Sequence, residues 1–227
     1  MENKIDFLKY VPIFSELDEE ALERIAKTGI QKNFKRDSVI LFEHESGSAL
    51  FIIIDGKVKV SRFSDDGKEV IITILSESDI FGEMSLLDGQ TRSAHVTAME
   101  NTDIFIIKRE DFIELLKSYP EVGISLLQEM TKRLRAADIK IKSLSLKDAE
   151  GKVATVLLQL ADEIGRIKQG TVEIDKLPFQ HDLANLAGTS RETISRTLHS
   201  FAKKGLVELD GSRLRIVNYE AFKEAFM

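Results

Sequence analysis

A succession of short apolar segments between about Ile30 and Lys108 most constrains the fold of this 227-residue chain. Segments such as SVILFEH, ALFIIID, KVKVSRF and EVIITIL have the length and the β-branched content of strands, and turn residues separate them. Asp55-Gly56 and Asp66-Gly67 stand between such segments, where hairpin turns need residues that tolerate positive φ. The pattern predicts an antiparallel β-barrel with a hairpin at each dipeptide.

Helical patterns flank the predicted barrel. Before it, DEEALERIAKTG places Leu22 and Ile25 at helical spacing, begins with acids and ends at Gly29, as a capped helix does. After it, REDFIELLKSY predicts a short helix, and Pro120 suits the first position of a further helix. That further helix is predicted to run from about residue 120 to residue 147.

The predicted long helix carries an apolar seam with a seven-residue repeat, which is the a/d pattern of a coiled coil. Its members are Leu127, Met130, Leu134, Ala137, Ile141 and Leu144. The seam predicts a two-fold homodimer. The alternative is that this stripe packs on the barrel of its own chain.

Several classes of chemistry are excluded by composition and motif. The chain has no cysteine, which excludes disulfides, thiolate zinc sites and cysteine nucleophiles. His44, His95, His181 and His199 are scattered without metal-ligand spacing, and no Walker loop, dinucleotide fingerprint or nucleophile elbow is present. We therefore expect neither a metal site nor an enzyme.

Location and charge give weaker expectations. No apolar run approaches the roughly 20 residues of a membrane span, and the acids in MENKIDFLKY do not suit a signal peptide, so a cytoplasmic protein is expected. The net charge of -6 lies in residues 1 to 149, which hold 21 Lys and Arg against 27 Asp and Glu. Residues 150 to 227 hold 11 of each. Composition alone is therefore silent on nucleic acid.

Residues 180 to 206 predict a helix-turn-helix. Two short helical patterns are joined by Ala187-Gly188-Thr189, and a glycine suits a tight interhelical turn. In the second helix Ile194, Leu198 and Phe201 form one apolar sector, and the opposite sector holds Arg191, Glu192, Ser195, Arg196 and His199. Such a polar face can read base edges in the major groove.

Two other interpretations of that face stay open. The arginines can instead belong to a solvated surface, and Thr189 with Glu192 three residues later matches a capping box. After Lys203-Lys204-Gly205, a strand, a turn at Asp210-Gly211 and a second strand predict a wing behind the helix.

The segment FGEMSLLDGQTRSA has the features of an anion site. Gly82 permits a sharp approach, and Met84 to Leu87 suit a short helix whose first N–H groups, with Arg92, can face an anion. The alternative is an ion pair between Glu83 and Arg92 that closes the barrel without a ligand.

GTSRETISRTLHSFAKKGLV and FGEMSLLDGQTRSA resemble the Crp/Fnr family of bacterial transcription regulators, and the domain order agrees over nearly the whole chain. The resemblance implies an α+β fold with an amino-terminal double-stranded β-helix, a jelly-roll barrel like a cyclic nucleotide-binding domain, at residues 1–118. A long dimerisation helix at 119–147 and a winged helix-turn-helix at 148–227 complete the expected organisation.

The resemblance also implies partners. Arg191, Glu192 and Arg196 would read a palindromic TGTGA-like site, Thr189 and Ser190 would contact phosphate, and Ser195 and His199 lie on the same face. RNA polymerase is the expected protein partner of such a regulator, which would act as an activator.

For the barrel, the resemblance implies a phosphate-binding cassette made of Gly82, Glu83, Met84, Ser85, Arg92 and Ser93. Glu83 would accept the ribose hydroxyl, and Arg92 and Ser93 would hold the phosphate of cyclic AMP or another cyclic nucleotide. Cyclic-AMP-responsive members carry a threonine-serine pair where this chain has Ala137-Asp138. Asp138 can accept a hydrogen bond from a purine amino group. A ligand-independent regulator of the same fold, and a regulatory subunit that acts on a protein partner, remain the alternatives.

Overall fold

A computed structural model describes residues 7–226 of the chain. They form two compact units. The first contains the chain through Arg62 together with Ile72–Arg135, and the second contains Phe63–Ile71 together with the chain from Ala136 onward. The units thus divide inside the long helix, whereas the boundary expected from the sequence lies at residue 147. The expected three-part division stays a prediction.

The barrel consists of eight strands in two four-stranded sheets. The strands are β1 (Ile30–Phe34), β2 (Val39–Leu41), β3 (Ala49–Asp55), β4 (Val58–Phe63), β5 (Glu69–Leu75), β6 (Ile80–Phe81), β7 (His95–Ala98) and β8 (Thr102–Lys108). One sheet has the order β1-β8-β3-β6 and the other β2-β7-β4-β5. Two antiparallel sheets packed in this way confirm the jelly-roll class expected from the sequence.

Apolar side chains cover both faces of the first sheet. On one face Phe51 packs in a cluster with Val58 and Val96 of the other sheet. On the opposite face Leu50 and Ile52 pack in a second cluster with helical side chains. This two-sided burial explains the uninterrupted apolar run ALFIIID, because a strand covered on both faces has no solvent-facing positions that favour polar residues.

The turn at Asp55-Gly56 does not close a hairpin, and that prediction was wrong. The strands that it joins, β3 and β4, lie in different sheets, so the turn carries the chain from one sheet to the other. Gly56 has a φ of 97°, and a Cβ there would lie 2.6 Å from Thr102 Oγ1. The turn at Asp66-Gly67 joins the neighbouring strands β4 and β5, which confirms the hairpin predicted there.

Helices of the first unit cover the barrel as the sequence predicts. They are α1 (Glu19–Thr28), α2 (Glu83–Asp88) and α3 (Arg109–Ser118), followed by the long helix α4 (Pro120–Leu146), which continues into the second unit. The Asp18 side chain caps α1 by accepting a hydrogen bond from the Ala21 N–H at 2.8 Å. Leu22 and Ile25 of α1 are buried in the same cluster as Leu50.

The second unit contains the winged helix-turn-helix. Its elements after α4 are α5 (Ala149–Ile164), β9 (Arg166–Lys168), β10 (Thr171–Ile174), α6 (Gln180–Ala187), α7 (Arg191–Lys203), β11 (Val207–Asp210), β12 (Arg213–Ile216) and α8 (Tyr219–Phe226). The four strands form an antiparallel sheet in the order β11-β12-β10-β9. The predicted wing is therefore confirmed as part of a larger sheet.

The tip of the β4–β5 hairpin, Phe63–Ile71, packs within the second unit. Asn185 of α6 donates a hydrogen bond to Glu69 Oε2 at 3.2 Å, and Lys140 Nζ of α4 donates to the Ile71 carbonyl at 2.7 Å. Burial lowers the pKa of Lys140 to about 8, because the charged ammonium loses hydration.

Candidate nucleic-acid interface and effector site

Helix α7 begins one residue later than a capping box at Thr189 would require. Ser190 has extended backbone angles, and its Oγ accepts a hydrogen bond from the Thr193 N–H at 3.2 Å. Ser190 is therefore the N-cap, and the predicted box between Thr189 and Glu192 was wrong. The reason is that two residues, Thr189 and Ser190, separate the left-handed Gly188 from the helix, which begins at Arg191.

The two sectors of α7 lie as the sequence predicts. Ile194 and Phe201 are completely buried, and Leu198 is nearly so. The polar sector is open to solvent, because Ser190, Arg191, Glu192, Arg196 and His199 are exposed and Thr189 and Ser195 are partly exposed. The structure thus brings all seven predicted DNA-contacting residues to one region, the cap and the outer face of α7.

Charged groups on this face are available to a ligand. Among residues 7–226, neither Arg191 nor Arg196 forms an ion pair, whereas Arg215 of the wing lies 3.1 Å from Glu208. Hydrogen bonds from its own backbone N–H and from the Ser190 hydroxyl lower the pKa of Glu192, so this carboxylate is ionised and able to accept hydrogen bonds.

The cassette of the first unit is built around the buried guanidinium of Arg92. Its Nη1 donates hydrogen bonds to the Gly82 carbonyl at 2.6 Å and to Ser85 Oγ at 2.8 Å, and its Nη2 donates to the Ala49 carbonyl at 3.0 Å. Gly82 has a φ of 80°, and a Cβ there would lie 2.7 Å from Nη1. A glycine is therefore required both by the turn into α2 and by the close approach of Arg92.

Glu83, the expected ribose contact, is paired with an arginine that sequence reasoning missed. Arg133 Nη1 of α4 donates to Glu83 Oε1 at 3.2 Å, and its Nη2 donates to the Ile80 carbonyl at 2.8 Å. Arg133 also contacts Glu129 at 3.2 Å. The alternative of a direct Glu83–Arg92 ion pair is corrected, because Arg133 supplies the cation that contacts Glu83.

Burial raises the pKa of the Glu83 carboxyl, and the charge of Arg133 acts against this rise. A signal for Arg133 was available in the sequence. Arg133 stands immediately before Leu134, at a position that flanks the a/d seam. Charged residues at such flanking positions commonly form salt bridges with the element that faces the helix.

The remaining effector residues lie at different places. Ser93 is exposed, and its hydroxyl lies 3.7 Å from Met84 Sδ, which is also exposed. Asp138 is exposed on α4 in the second unit, and its role as a purine contact stays a prediction. The site thus offers the buried carboxylate of Glu83, the buried guanidinium of Arg92 beside the Gly82 turn and the exposed hydroxyl of Ser93. This set of groups fits the hydroxyls of a sugar and the charge of a phosphate.

The predicted seam of α4 is only partly open. Leu127, Leu134 and Ile141 are 68%, 64% and 62% exposed, and Ala137 is exposed as well. Met130 instead packs against the core of the first unit. Leu144 approaches the helix-turn-helix, because a Cβ at Gly188 would lie 3.0 Å from Leu144 Cδ2. Leu144 is nevertheless 39% exposed, so Met130 is the one seam residue that is not exposed.

Comparison with known families assigns both units. Residues 31–119 match the cyclic nucleotide-binding domain, and residues 151–225 match the Crp-like helix-turn-helix domain. The chain belongs to the Crp/Fnr family of transcription regulators. It is therefore a regulator with a helix-turn-helix DNA-binding domain and a cyclic nucleotide-binding domain, in a family of transcription regulators rather than enzymes.

Individual relatives of this Crp/Fnr regulator cover nearly its whole length. It is 35% identical over 202 residues to the cyclic AMP receptor protein of Thermus thermophilus, and the matched region covers 89% of this chain and 90% of the relative. It is 32% identical over 215 residues to the CRP-like cAMP-activated global transcriptional regulator of Mycobacterium tuberculosis, spanning 95% and 96% of the two chains.

Solved structures agree on the fold of this Crp/Fnr regulator. The catabolite activator protein of Thermus thermophilus is 32% identical, with a TM-score of 0.54 over 94% of this chain and 97% of that one. FixK2 of Bradyrhizobium japonicum is 22% identical, with a TM-score of 0.76 over 86% and 96% of the two chains. Within residues 7–226, no helix has the length and apolar character needed to cross a membrane.

Proposed function

We propose that this regulator reads a palindromic, TGTGA-like DNA site with α7 and does so as a homodimer. The observation that carries the proposal is the exposure of Arg191 and Arg196, which form no ion pair within residues 7–226, beside the ionised Glu192 on a capped helix. Arginine can donate two hydrogen bonds to guanine, and a carboxylate can accept from cytosine. The cap residues Thr189 and Ser190 would contact phosphate at the same helix end.

A homodimer is supported by the exposed stripe of α4. The side chains of Leu127, Leu134 and Ile141 are each more than half exposed, and they repeat at the spacing of a coiled coil. Two copies of the stripe would bury each other, and the two α7 helices would then occupy half-sites related by two-fold symmetry.

The effector proposed for the barrel is a cyclic nucleotide, with cyclic AMP as the first candidate. Glu83 would accept a ribose hydroxyl, and Arg92 and Ser93 would hold the phosphate, with Met84 at the rim and Gly82 and Ser85 shaping the turn. A negatively charged phosphate is favoured by the Arg92 guanidinium and by the first N–H groups of α2. Relatives named as cAMP-activated support this choice, and Asp138 is proposed to accept from the purine amino group.

The test is fluorescence anisotropy of a labelled TGTGA-type palindromic duplex at a stated salt concentration, without and then with cyclic AMP. Arg191→Ala or Arg196→Ala should each cost about 1–3 kcal/mol of specific binding, because each substitution removes a bidentate hydrogen-bonded pair with guanine. The matched control is Arg166→Ala, which removes an exposed arginine of the same unit that lies 3.2 Å from Asp175 on the sheet.

The outcomes separate the three candidate functions. Tighter binding with cyclic AMP supports a nucleotide-controlled regulator. Tight binding that cyclic AMP leaves unaltered supports a ligand-independent regulator. A stable dimer that binds cyclic AMP but no duplex would instead support a regulatory subunit acting on a protein partner.

Other partners follow from the family and stay proposals. Transcription activation requires contact with RNA polymerase, which we propose as the protein partner of the DNA-bound dimer. A regulator that binds the bacterial chromosome would be located in the cytoplasm.

A further inference from the structure

The outer end of α7 carries His199, whose ring is held by the backbone. His199 Nδ1 lies 2.7 Å from the Ser195 carbonyl oxygen. A carbonyl can only accept a hydrogen bond, so Nδ1 carries the hydrogen. The other nitrogen, Nε2, then presents a lone pair when the ring is neutral and an N–H when the ring is cationic. One ring position of His199 is thus left to change with protonation.

The position of His199 on the helix favours a phosphate rather than a base. It follows Arg191 by eight residues, which is about 12 Å along the axis of a helix. The major groove is about 12 Å wide, so a helix that places Arg191 at the base edges carries His199 towards the backbone at the groove wall. His199 is exposed on the same face as Arg196, from which it is separated by less than one turn.

We propose that His199 makes a proton-dependent contact with a DNA phosphate, so that DNA affinity rises as the pH falls. This inference rests on the proposed reading of DNA by α7. With a neutral ring, the lone pair of Nε2 would face the oxygen lone pairs of the phosphate. With a protonated ring, Nε2 donates a charge-assisted hydrogen bond and neutralises one phosphate charge.

The charged groups near His199 bear on which anion would stabilise its protonated ring. We take this anion to be a DNA phosphate. On its own helix, Arg196 precedes His199 by three residues and Lys203 follows it by four, so both of these neighbours are cations. The elements packed against α7 include α5, α6 and β11. They also include α8, whose Phe222 and Phe226 contact the buried Phe201 and whose charged groups are Glu220, Lys223 and Glu224.

Three carboxylates on those packed elements have cationic or histidine partners, whereas Asp162 of α5 accepts a hydrogen bond from the Tyr219 hydroxyl. Glu150 of α5 lies 2.5 Å from Lys204, Asp182 of α6 lies 3.3 Å from His181, and Glu208 of β11 lies 3.1 Å from Arg215. Binding of DNA would therefore be coupled to proton uptake at His199.

The salt dependence of binding measures this contact directly. Each phosphate neutralised on B-DNA adds about 0.9 to the slope of log affinity against log salt. For a dimer the slope should steepen by about 1.8 between about pH 8 and about pH 6. Between about 50 and 200 mM salt, the loss of affinity at the lower pH should then be about twelvefold greater than at the higher pH.

The experiment uses full-length protein with the labelled palindromic duplex, in the presence of cyclic AMP at a fixed excess. His199→Gln should remove the difference in slope between the two pH values, and His199→Lys should show the steep slope at both. His181→Gln is the matched control, because His181 is also exposed in the helix-turn-helix but stacks on Phe179 at 5.6 Å and lies beside Asp182. Circular dichroism checks that each variant is folded.

Three results would overturn the proposal. They are equal slopes at both pH values in the wild type, a difference that survives in His199→Gln, or a difference that only His181→Gln removes. In each case Arg196→Ala still reports whether α7 reads DNA, so the proposed function is judged separately. If no variant and no wild-type protein binds the duplex, both proposals fail.

Discussion

The guanidinium of Arg133 lies 3.2 Å from the buried carboxylate of Glu83, although the two residues are 50 positions apart in the chain. The pair joins α4 to the first residue of α2, which is the expected ribose contact of the cassette. A ligand hydroxyl that binds Glu83 would therefore meet a carboxylate already neutralised by a residue of the long helix. This links the proposed effector residues to the helix that carries the exposed seam.

Replacing Arg133 by methionine should expose the cost of burying Glu83. Burial already raises the pKa of this carboxyl, and loss of the guanidinium raises it further. Because the folded-state pKa then lies above the unfolded one, stability is lost as the pH rises through it. We expect the free energy of unfolding to fall by about 1–3 kcal/mol at about pH 8, and by less at about pH 5.

Urea denaturation of Arg133→Met at the two pH values makes this measurement. Arg133→Lys keeps the charge and should restore most of the stability at the higher pH. An equal loss at both pH values would show that Arg133 contributes packing rather than a counter-charge.

Replacing Leu134 by glutamate should weaken the dimer. The side chain is 64% exposed in one copy, and in the proposed coiled coil it would face its equivalent in the second copy, where two carboxylates repel and lose hydration. Leu146→Glu is the matched control, because Leu146 is 78% exposed on the same helix and does not belong to the seam. Sedimentation of both variants at low concentration distinguishes them, and a dimer of Leu134→Glu as stable as that of Leu146→Glu would refute the seam.

Replacing Gly82 by alanine should displace Arg92 from the cassette, in addition to the free-energy cost of placing alanine at a positive φ. Gly82 and Gly67 have φ values of 80° and 78°, so alanine at either position costs about 1–2 kcal/mol for the left-handed conformation. Only at Gly82 does the added Cβ approach Arg92, because nothing lies within 4 Å of a Cβ at Gly67. The difference between the two variants isolates the displacement of Arg92.

Titration with a fluorescent cyclic AMP analogue, next to thermal denaturation, measures both effects. Gly82→Ala should weaken binding at least about tenfold, which is the effect of removing one charge-assisted hydrogen bond of about 1.5 kcal/mol, whereas Gly67→Ala should bind normally. Equal binding by the two variants would mean that Arg92 does not hold the phosphate.

Replacing Lys140 by methionine should stabilise the protein at neutral pH. Burial lowers the pKa of Lys140 to about 8, so the unfolded chain holds more protons than the folded one between about pH 8 and about pH 10. Below that range the folded protein carries a charge that has lost hydration. We expect Lys140→Met to gain about 1–3 kcal/mol at about pH 7 and to lose this advantage near about pH 10.5.

Urea denaturation of the wild type and of Lys140→Met across that pH range tests the sign. Lys176→Met, a lysine of the same unit, serves as the matched control for loss of a positive charge. Destabilisation of Lys140→Met at neutral pH would show that the hydrogen bond to the Ile71 carbonyl outweighs the cost of burial.

Local periodicity determined much of this protein. The strand ALFIIID, the capped helix that ends at Gly29 and the two sectors of α7 follow from which positions can be buried at a spacing of two or 3.6 residues. The exposed face with Arg191 and Arg196 also follows from local periodicity, because a helix whose apolar stripe is buried must present its remaining side chains to solvent.

The tertiary structure alone decided which distant residues meet. Asp55-Gly56 has the residues of a hairpin turn, but whether the next strand pairs with its neighbour or joins another sheet depends on how two sheets pack. Likewise, the heptad repeat marks Leu134 and Met130 equally, yet only Met130 is covered by its own unit. The pairing of Arg133 with Glu83 has the same origin, since side-chain contacts across 50 residues depend on element packing and not on local backbone preference.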